Sequence, residues 1–75
     1  MNLTVNEIMN TLPENASDEE IIEASDKLFD IALSAFWKDN KTFDEALNVL
    51  HKLYGMTHSL NAKIRIKDHI WILEY

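Results

Sequence analysis

The chain has 75 residues, of which 47% are hydrophobic. This proportion is too high for intrinsic disorder and the length suits one small domain, so we expect residues 1–75 to form a single domain with a thin core. Thirteen acidic and seven basic residues give a net charge of −6, which disfavours binding to nucleic acid or to anionic membranes. The lack of cysteine excludes disulfides and thiolate metal sites and fits a cytoplasmic protein.

The charge is distributed unevenly along the chain. Residues 1–50 hold eleven carboxylates and three lysines, a net charge of −8, whereas residues 51–75 hold four basic and two acidic residues, a net charge of +2. Residues 1–10 lack the basic start and apolar run of a secretory signal, and no apolar run is long enough to span a membrane. We therefore expect a molecule with a charge dipole and no membrane association.

Local capping chemistry predicts where three helices start. A hydroxyl residue followed three positions later by glutamate matches the capping box, in which the two side chains satisfy free backbone donors. The first helix is predicted over Val5–Thr11 because Pro13 restricts the residue before it, the second over residues 18–38, and the third from Phe43. The three pairs are Thr4 with Glu7, Ser17 with Glu20, and Thr42 with Glu45.

Apolar periodicity predicts how the second and third helices pack. Each carries one apolar stripe at helical spacing, and the short connection over residues 39–41 makes an antiparallel pair the expected arrangement. We therefore predict an all-α fold, a small bundle of three to four helices built on an antiparallel helical hairpin.

The last twenty residues fit two interpretations. As a helix, they continue the apolar stripe of the third helix, whereas as a strand, apolar and polar residues alternate cleanly. A C-terminal strand or hairpin in residues 62–75 would give an α+β fold instead. We favour the helix because no glycine-containing turn is present to form a hairpin. The helical stripe comprises Leu53, Met56, Leu60, Ile64, Trp71 and Tyr75.

An acidic row is the first candidate functional feature. Its four residues follow the spacing i, i+4, i+7, i+11, which places them on one face of the second helix, opposite the apolar stripe. Such a row can resemble the phosphates of a nucleic acid and occupy a cationic groove, or it can be a solvated face that keeps the protein soluble. The four residues are Glu19, Glu23, Asp26 and Asp30.

Chemistry at a catalytic or metal site is not expected. His51 and His58 are seven residues apart, whereas two histidines that share a zinc ion on one helix are four apart. No glycine-flanked nucleophile or glycine-rich phosphate loop can form with Gly55 as the single glycine. We predict that the protein is not an enzyme and has no metal site and no cofactor.

Residues 47–71 suggest an alternative function in DNA binding. A helix, a break near Gly55 and a second helix with Lys63, Arg65 and Lys67 resemble the layout of a helix-turn-helix. The segment is only mildly basic and the rest of the chain would repel phosphate. A small helix-turn-helix transcriptional regulator is therefore the alternative, and nucleic acid is not the partner we expect.

Surplus aromatic and aliphatic residues predict an association surface near the C-terminus. They exceed what one core-facing stripe can bury, although they could also cover the open end of the bundle. We predict a non-catalytic, acidic protein-binding module that regulates or inhibits a larger protein, and that forms a homodimer through its C-terminal segment. The predicted association residues are Trp37, Ile66, Ile70, Trp71, Leu73 and Tyr75.

Overall fold

The computed structural model of the protein describes residues 4–74 and is built from helices. Within these residues four helices and no strand are present, so the predicted all-α bundle is confirmed and the alternative strand over residues 62–74 is wrong. None of the helices in this part of the chain is long and apolar enough to cross a membrane. The helices are α1 (Val5–Thr11), α2 (Asp18–Ala35), α3 (Asn40–Met56) and α4 (Leu60–Glu74).

The starts of α1 and α2 follow the predicted capping chemistry. The backbone N–H of Glu7 donates to Thr4 Oγ1 at 3.2 Å. At α2 the capping box is complete, because the Glu20 N–H donates to Ser17 Oγ at 3.2 Å and the Ser17 N–H donates to Glu20 Oε1 at 3.1 Å. Both helices therefore begin where the sequence predicts.

The start of α3 differs from the prediction. Asp39, and not Thr42, is the capping residue, since its Oδ1 accepts from the Thr42 N–H at 3.1 Å and its Oδ2 accepts from the Thr42 hydroxyl at 2.6 Å. The helix thus begins at Asn40, within the predicted connection. The connection is formed by residues 36–39 instead, because α2 ends at Ala35 rather than at Lys38.

The core lies between the three long helices. α2 packs on both α3 and α4, α3 also packs on α4, and the short α1 lies across α2 and α3. Val5 and Ile8 anchor α1 in this core. The largest fully buried apolar side chains come from all three long helices, and they are Leu28, Leu50, Leu53 and Ile66.

Helix α4 buries a different face from the predicted one. Thr57–Ser59 interrupt the helix, so the apolar stripe of α3 does not continue in phase into α4. Leu60, Ile64 and Trp71, predicted to face the core, are exposed. The buried face comprises Ala62, Ile66, Ile70 and Leu73. Ile66, Ile70 and Leu73 therefore form part of the core of one subunit, and their predicted role in an association surface is wrong.

Candidate functional site

The four residues of the acidic row on α2 are not equally exposed. Glu19, Glu23 and Asp30 are exposed, whereas Asp26 is half-buried on the side that faces α4. Lys27 also lies within the row, with its Nζ 3.2 Å from Glu23 Oε1. Three of the four predicted carboxylates are thus available to a partner, and the fourth has a role inside the molecule.

Asp26 joins α2 to α4 through an arginine and a histidine. Its Oδ2 accepts from Arg65 Nη2 at 3.0 Å and its Oδ1 accepts from Arg65 Nε at 3.2 Å, which is the bidentate geometry favoured by guanidinium and carboxylate. Oδ1 also lies 2.7 Å from His69 Nε2, and because an ionised carboxylate only accepts, this nitrogen carries the hydrogen. The His69 ring stacks on Phe29, with ring centres 4.2 Å apart.

This Asp26–Arg65–His69 cluster controls the ionisation of Asp26. Burial raises the pKa of the carboxyl, but the hydrogen bonds from His69 and Arg65 lower it and outweigh burial, so the pKa of Asp26 lies below its ordinary value. The cluster therefore stabilises the folded state with an ionised Asp26. The i, i+4 spacing of Arg65 and His69 places both side chains on one face of α4, and it is the feature of the sequence that fits this site.

Phe29 also contributes to the packing of α2 on α4. It lies one turn after Asp26 on α2, and its ring stacks on His69, the same residue that contacts Asp26. Trp37 lies just beyond α2 and is 89% exposed, with its ring edge-on to Phe36 at 4.8 Å.

Helix α4 presents a second apolar face to solvent. Leu60 is 71% exposed, Ile64 52% and Trp71 61%. They follow the spacing i, i+4, i+11, so they lie along one side of the helix, and Ile72 borders them. We call this surface the α4 outer face and define it as Leu60, Ile64, Trp71 and Ile72. Of the predicted association residues on α4, Trp71 alone belongs to it, and Tyr75 lies outside the described residues.

Two of the three basic residues of the predicted helix-turn-helix make contacts within the subunit. Arg65 binds Asp26, and the Lys63 ammonium lies 4.7 Å from the centre of the Tyr54 ring. The break between α3 and α4 is present at residues 57–59, where the Ser59 hydroxyl accepts from the Ala62 N–H at 3.3 Å. Gly55 belongs to α3 rather than to the turn.

Two further polar features of the described residues are an exposed pair between helices and an open groove. His51 Nε2 lies 3.0 Å from Glu74 Oε1 in an exposed pair between α3 and α4. In the part of the chain from residue 4 to residue 74, no three His, Asp or Glu side chains are placed to hold a metal ion. An open groove of about 710 Å³ lies beside α1, α2 and the start of α3, and its wall mixes both charge signs, with Lys27, Asp30 and Lys38 among its residues.

The chain is not similar to any known protein in the comparisons. No protein-family model, curated protein or solved structure matches it. Among the described residues, the α4 outer face and the three exposed carboxylates of the acidic row are both open to solvent.

Proposed function

We propose that the protein is a non-catalytic protein-binding module that regulates or inhibits a larger protein by docking through the α4 outer face. The observation that supports this function best is the apolar character of α4 on two sides. One side is buried in the core of the subunit, and the other leaves Leu60, Ile64 and Trp71 in water. A helix that is apolar on both sides is typical of one that is covered on both sides.

The chemistry of the α4 outer face suits a protein partner. It combines a tryptophan with branched aliphatic side chains, the residue types that act as anchors in the centre of protein interfaces. Removal of such side chains from water is favourable by about 25 cal/mol per Å² of apolar surface. Leu60 and Trp71 are eleven positions apart, which is roughly 16 Å along the helix at about 1.5 Å per residue, and Ile64 lies between them.

The charge of the molecule restricts which partner it can approach. With a net charge of −6, the protein is attracted to a cationic surface, and Glu19, Glu23 and Asp30 are the exposed members of the acidic row. A protein that itself binds nucleic acid has such a surface, so the module would act there as a mimic of DNA. We place this interaction in the cytoplasm, which the cysteine-free sequence fits.

A capture experiment tests this function. The immobilised protein is exposed to an extract of the cells that produce it, and the bound proteins are compared between the natural sequence and the variant Ile64→Asp. We expect Ile64→Asp to lose a specific partner, while Leu33→Asp, a matched change at a half-exposed side chain on α2, retains it. Addition of the purified partner should then show a change in the partner's activity that Ile64→Asp does not cause. Equal capture by both variants would contradict the proposed role of the α4 outer face.

A second experiment tests the acidic row. Glu19→Lys combined with Glu23→Lys reverses two exposed charges and leaves the Asp26–Arg65–His69 cluster intact. If the partner is cationic, this variant captures less of it, and the difference decreases at high salt because exposed charges are screened. Capture that does not change would remove the acidic row from the proposed interface.

DNA binding fits the geometry less well. Two of the three cations in the predicted recognition helix contact Asp26 and Tyr54. Helix α2, with six acidic residues and one lysine, packs directly against this helix and would repel phosphate. The helix-turn-helix regulator is therefore the weaker of the two functions.

A further inference from the structure

We infer that the protein which covers the α4 outer face is a second copy of this chain, related to the first by a two-fold axis so that the two α4 helices run antiparallel. This inference rests on the proposed function, because it concerns the same docking surface. In the free protein the second copy covers the α4 outer face, and the larger protein takes the place of that copy when it binds. Charge, symmetry and area each support a second copy.

The distribution of charge favours contact through α4. Two copies with a net charge of −6 repel each other, so association is most favourable where each copy is least negative. α4 has three basic and two acidic residues, a net charge of +1, and among the four helices described over residues 4–74 it alone has a positive net charge. α2, with a net charge of −5, packs on α4 within the subunit, and there its Asp26 is paired with Arg65.

The sequence of α4 is also complementary to itself. A two-fold axis brings residue i of one copy opposite residue j, and residue j opposite residue i. If the axis passes between Lys67 and Asp68, each lysine meets the aspartate of the other copy, and the two ion pairs form at the centre of the interface. The same register places each Ile64 against Trp71 of the second copy, so the apolar residues also meet.

The exposed apolar area is adequate for a dimer. At roughly 200 Å² for a fully exposed large side chain, the exposed fractions of the four residues give about 470 Å² of apolar surface per copy. Interfaces between proteins are about 57% apolar, so a polar rim in the usual proportion raises the covered surface to about 800 Å² per copy. This value is the typical contribution of one partner to a stable, specific complex.

Sedimentation equilibrium tests the dimer. The mass is measured from about 10 µM to about 1 mM, the range in which an interface of this size without further anchors is expected to dissociate. We expect the mass to rise from 8.7 kDa toward twice that value. Ile64→Asp should remain at the monomer mass throughout, whereas Trp37→Asp, a change at a more exposed apolar side chain that lies off α4, should dimerise like the natural sequence.

A charge exchange tests the antiparallel register. Lys67→Asp places two carboxylates opposite each other at both central pairs, and we expect the dissociation constant of the dimer to rise about tenfold. Lys67→Asp combined with Asp68→Lys restores opposite charges and should return the constant to within about threefold of the natural value. Far-UV circular dichroism confirms that each variant remains helical.

The outcomes separate this inference from the proposed function. A natural chain that stays monomeric, while Ile64→Asp still loses the larger partner, overturns the dimer and leaves the docking function in place. Loss of dimerisation in both Ile64→Asp and Trp37→Asp would show that the α4–α4 arrangement is wrong. The same conclusion follows if Asp68→Lys does not restore the dimerisation that Lys67→Asp weakens. A monomer that binds lipid vesicles through Ile64 would also overturn the dimer. If Ile64→Asp changes neither mass nor capture, both proposals fail.

Discussion

The two isoleucines at positions 64 and 66 of α4 provide a sharp test of which side of this helix faces the core. Ile66 is fully buried, and Ile64 is half exposed on the opposite side. Ile66→Ala removes three buried carbons, each worth about 0.8 kcal/mol, and leaves a cavity in addition, so we expect a loss of about 3 kcal/mol in the free energy of unfolding. Ile64→Ala should cost about 1 kcal/mol or less, because half of its surface is already in water and no cavity forms.

The comparison is well controlled, because both substitutions exchange the same side chains in the same helix. Differences in helix propensity between isoleucine and alanine therefore cancel. A domain of this size is expected to be stable by about 4–11 kcal/mol, so a loss of 3 kcal/mol is a large fraction and lowers the melting temperature by roughly 12–24 °C.

Urea unfolding followed by far-UV circular dichroism measures both variants, at a protein concentration low enough to keep the chain monomeric. Equal losses, or a larger loss for Ile64→Ala, would refute the orientation of α4. That result would also remove the exposed surface on which the docking proposal depends.

Two further predictions concern the N-terminus and the interior of α2. Ser17→Ala removes one half of the capping box and should lower the free energy of unfolding by about 1 kcal/mol in thermal or urea melts, and a loss below experimental error would contradict the capping contribution. For Asp26, the folded-state pKa is lower than the ordinary value of 3.8, so the unfolded chain binds the proton more readily. Its stabilising contribution is therefore fully present above about pH 4 and is lost as the pH falls through the folded-state value. Asp26→Asn should be less stable at neutral pH, and its free energy of unfolding should depend less on pH in melts between about pH 2 and pH 5. Asp30→Asn is the control. If Asp26→Asn leaves the acid dependence of stability unchanged, the cluster does not contribute to stability.

Local chemistry was a reliable guide to the helices. Thr4 and Ser17 cap the helices that follow them, because a hydroxyl three residues before a free backbone donor needs no information from the rest of the chain. At α3 the capping residue is Asp39, three positions before the predicted Thr42, and although aspartate is a favoured N-cap residue, it does not match the pattern of a hydroxyl residue followed by glutamate. The carboxylate accepts from the backbone and from the hydroxyl of Thr42 at once, which adds a turn to the helix that spacing alone could not reveal.

The phase of α4 could not be predicted from periodicity. Isoleucines at positions 64, 66, 70 and 72 supply apolar residues on several sides, so more than one stripe can be drawn through them. The break at residues 57–59 decides between the stripes, because it uncouples α4 from the phase of α3. For this reason the predicted association residues at this end of the chain combine Trp71, which is exposed, with Ile66, Ile70 and Leu73, which are buried.

For the acidic row, too, residue spacing does not predict which side chains are exposed. Spacing places Asp26 with Glu23 and Asp30 on one side of α2, and this remains true in the fold. Whether that side faces water or another helix depends on two long-range contacts. Asp26 contacts Arg65, which is 39 positions further along the chain, and His69, which is 43 positions further. A tertiary contact of this kind leaves little trace in a single sequence.

Helix α1 is stabilised by its packing on other helices. It is seven residues long, well below the roughly 12–15 residues at which an isolated helix becomes marginally stable in water. It touches α2 and α3 and not α4, and it is held mainly by Val5 and Ile8. The amide hydrogens of α1 should therefore exchange with solvent through local opening, at a lower free energy than those of the three-helix core, which can stay folded while this segment detaches.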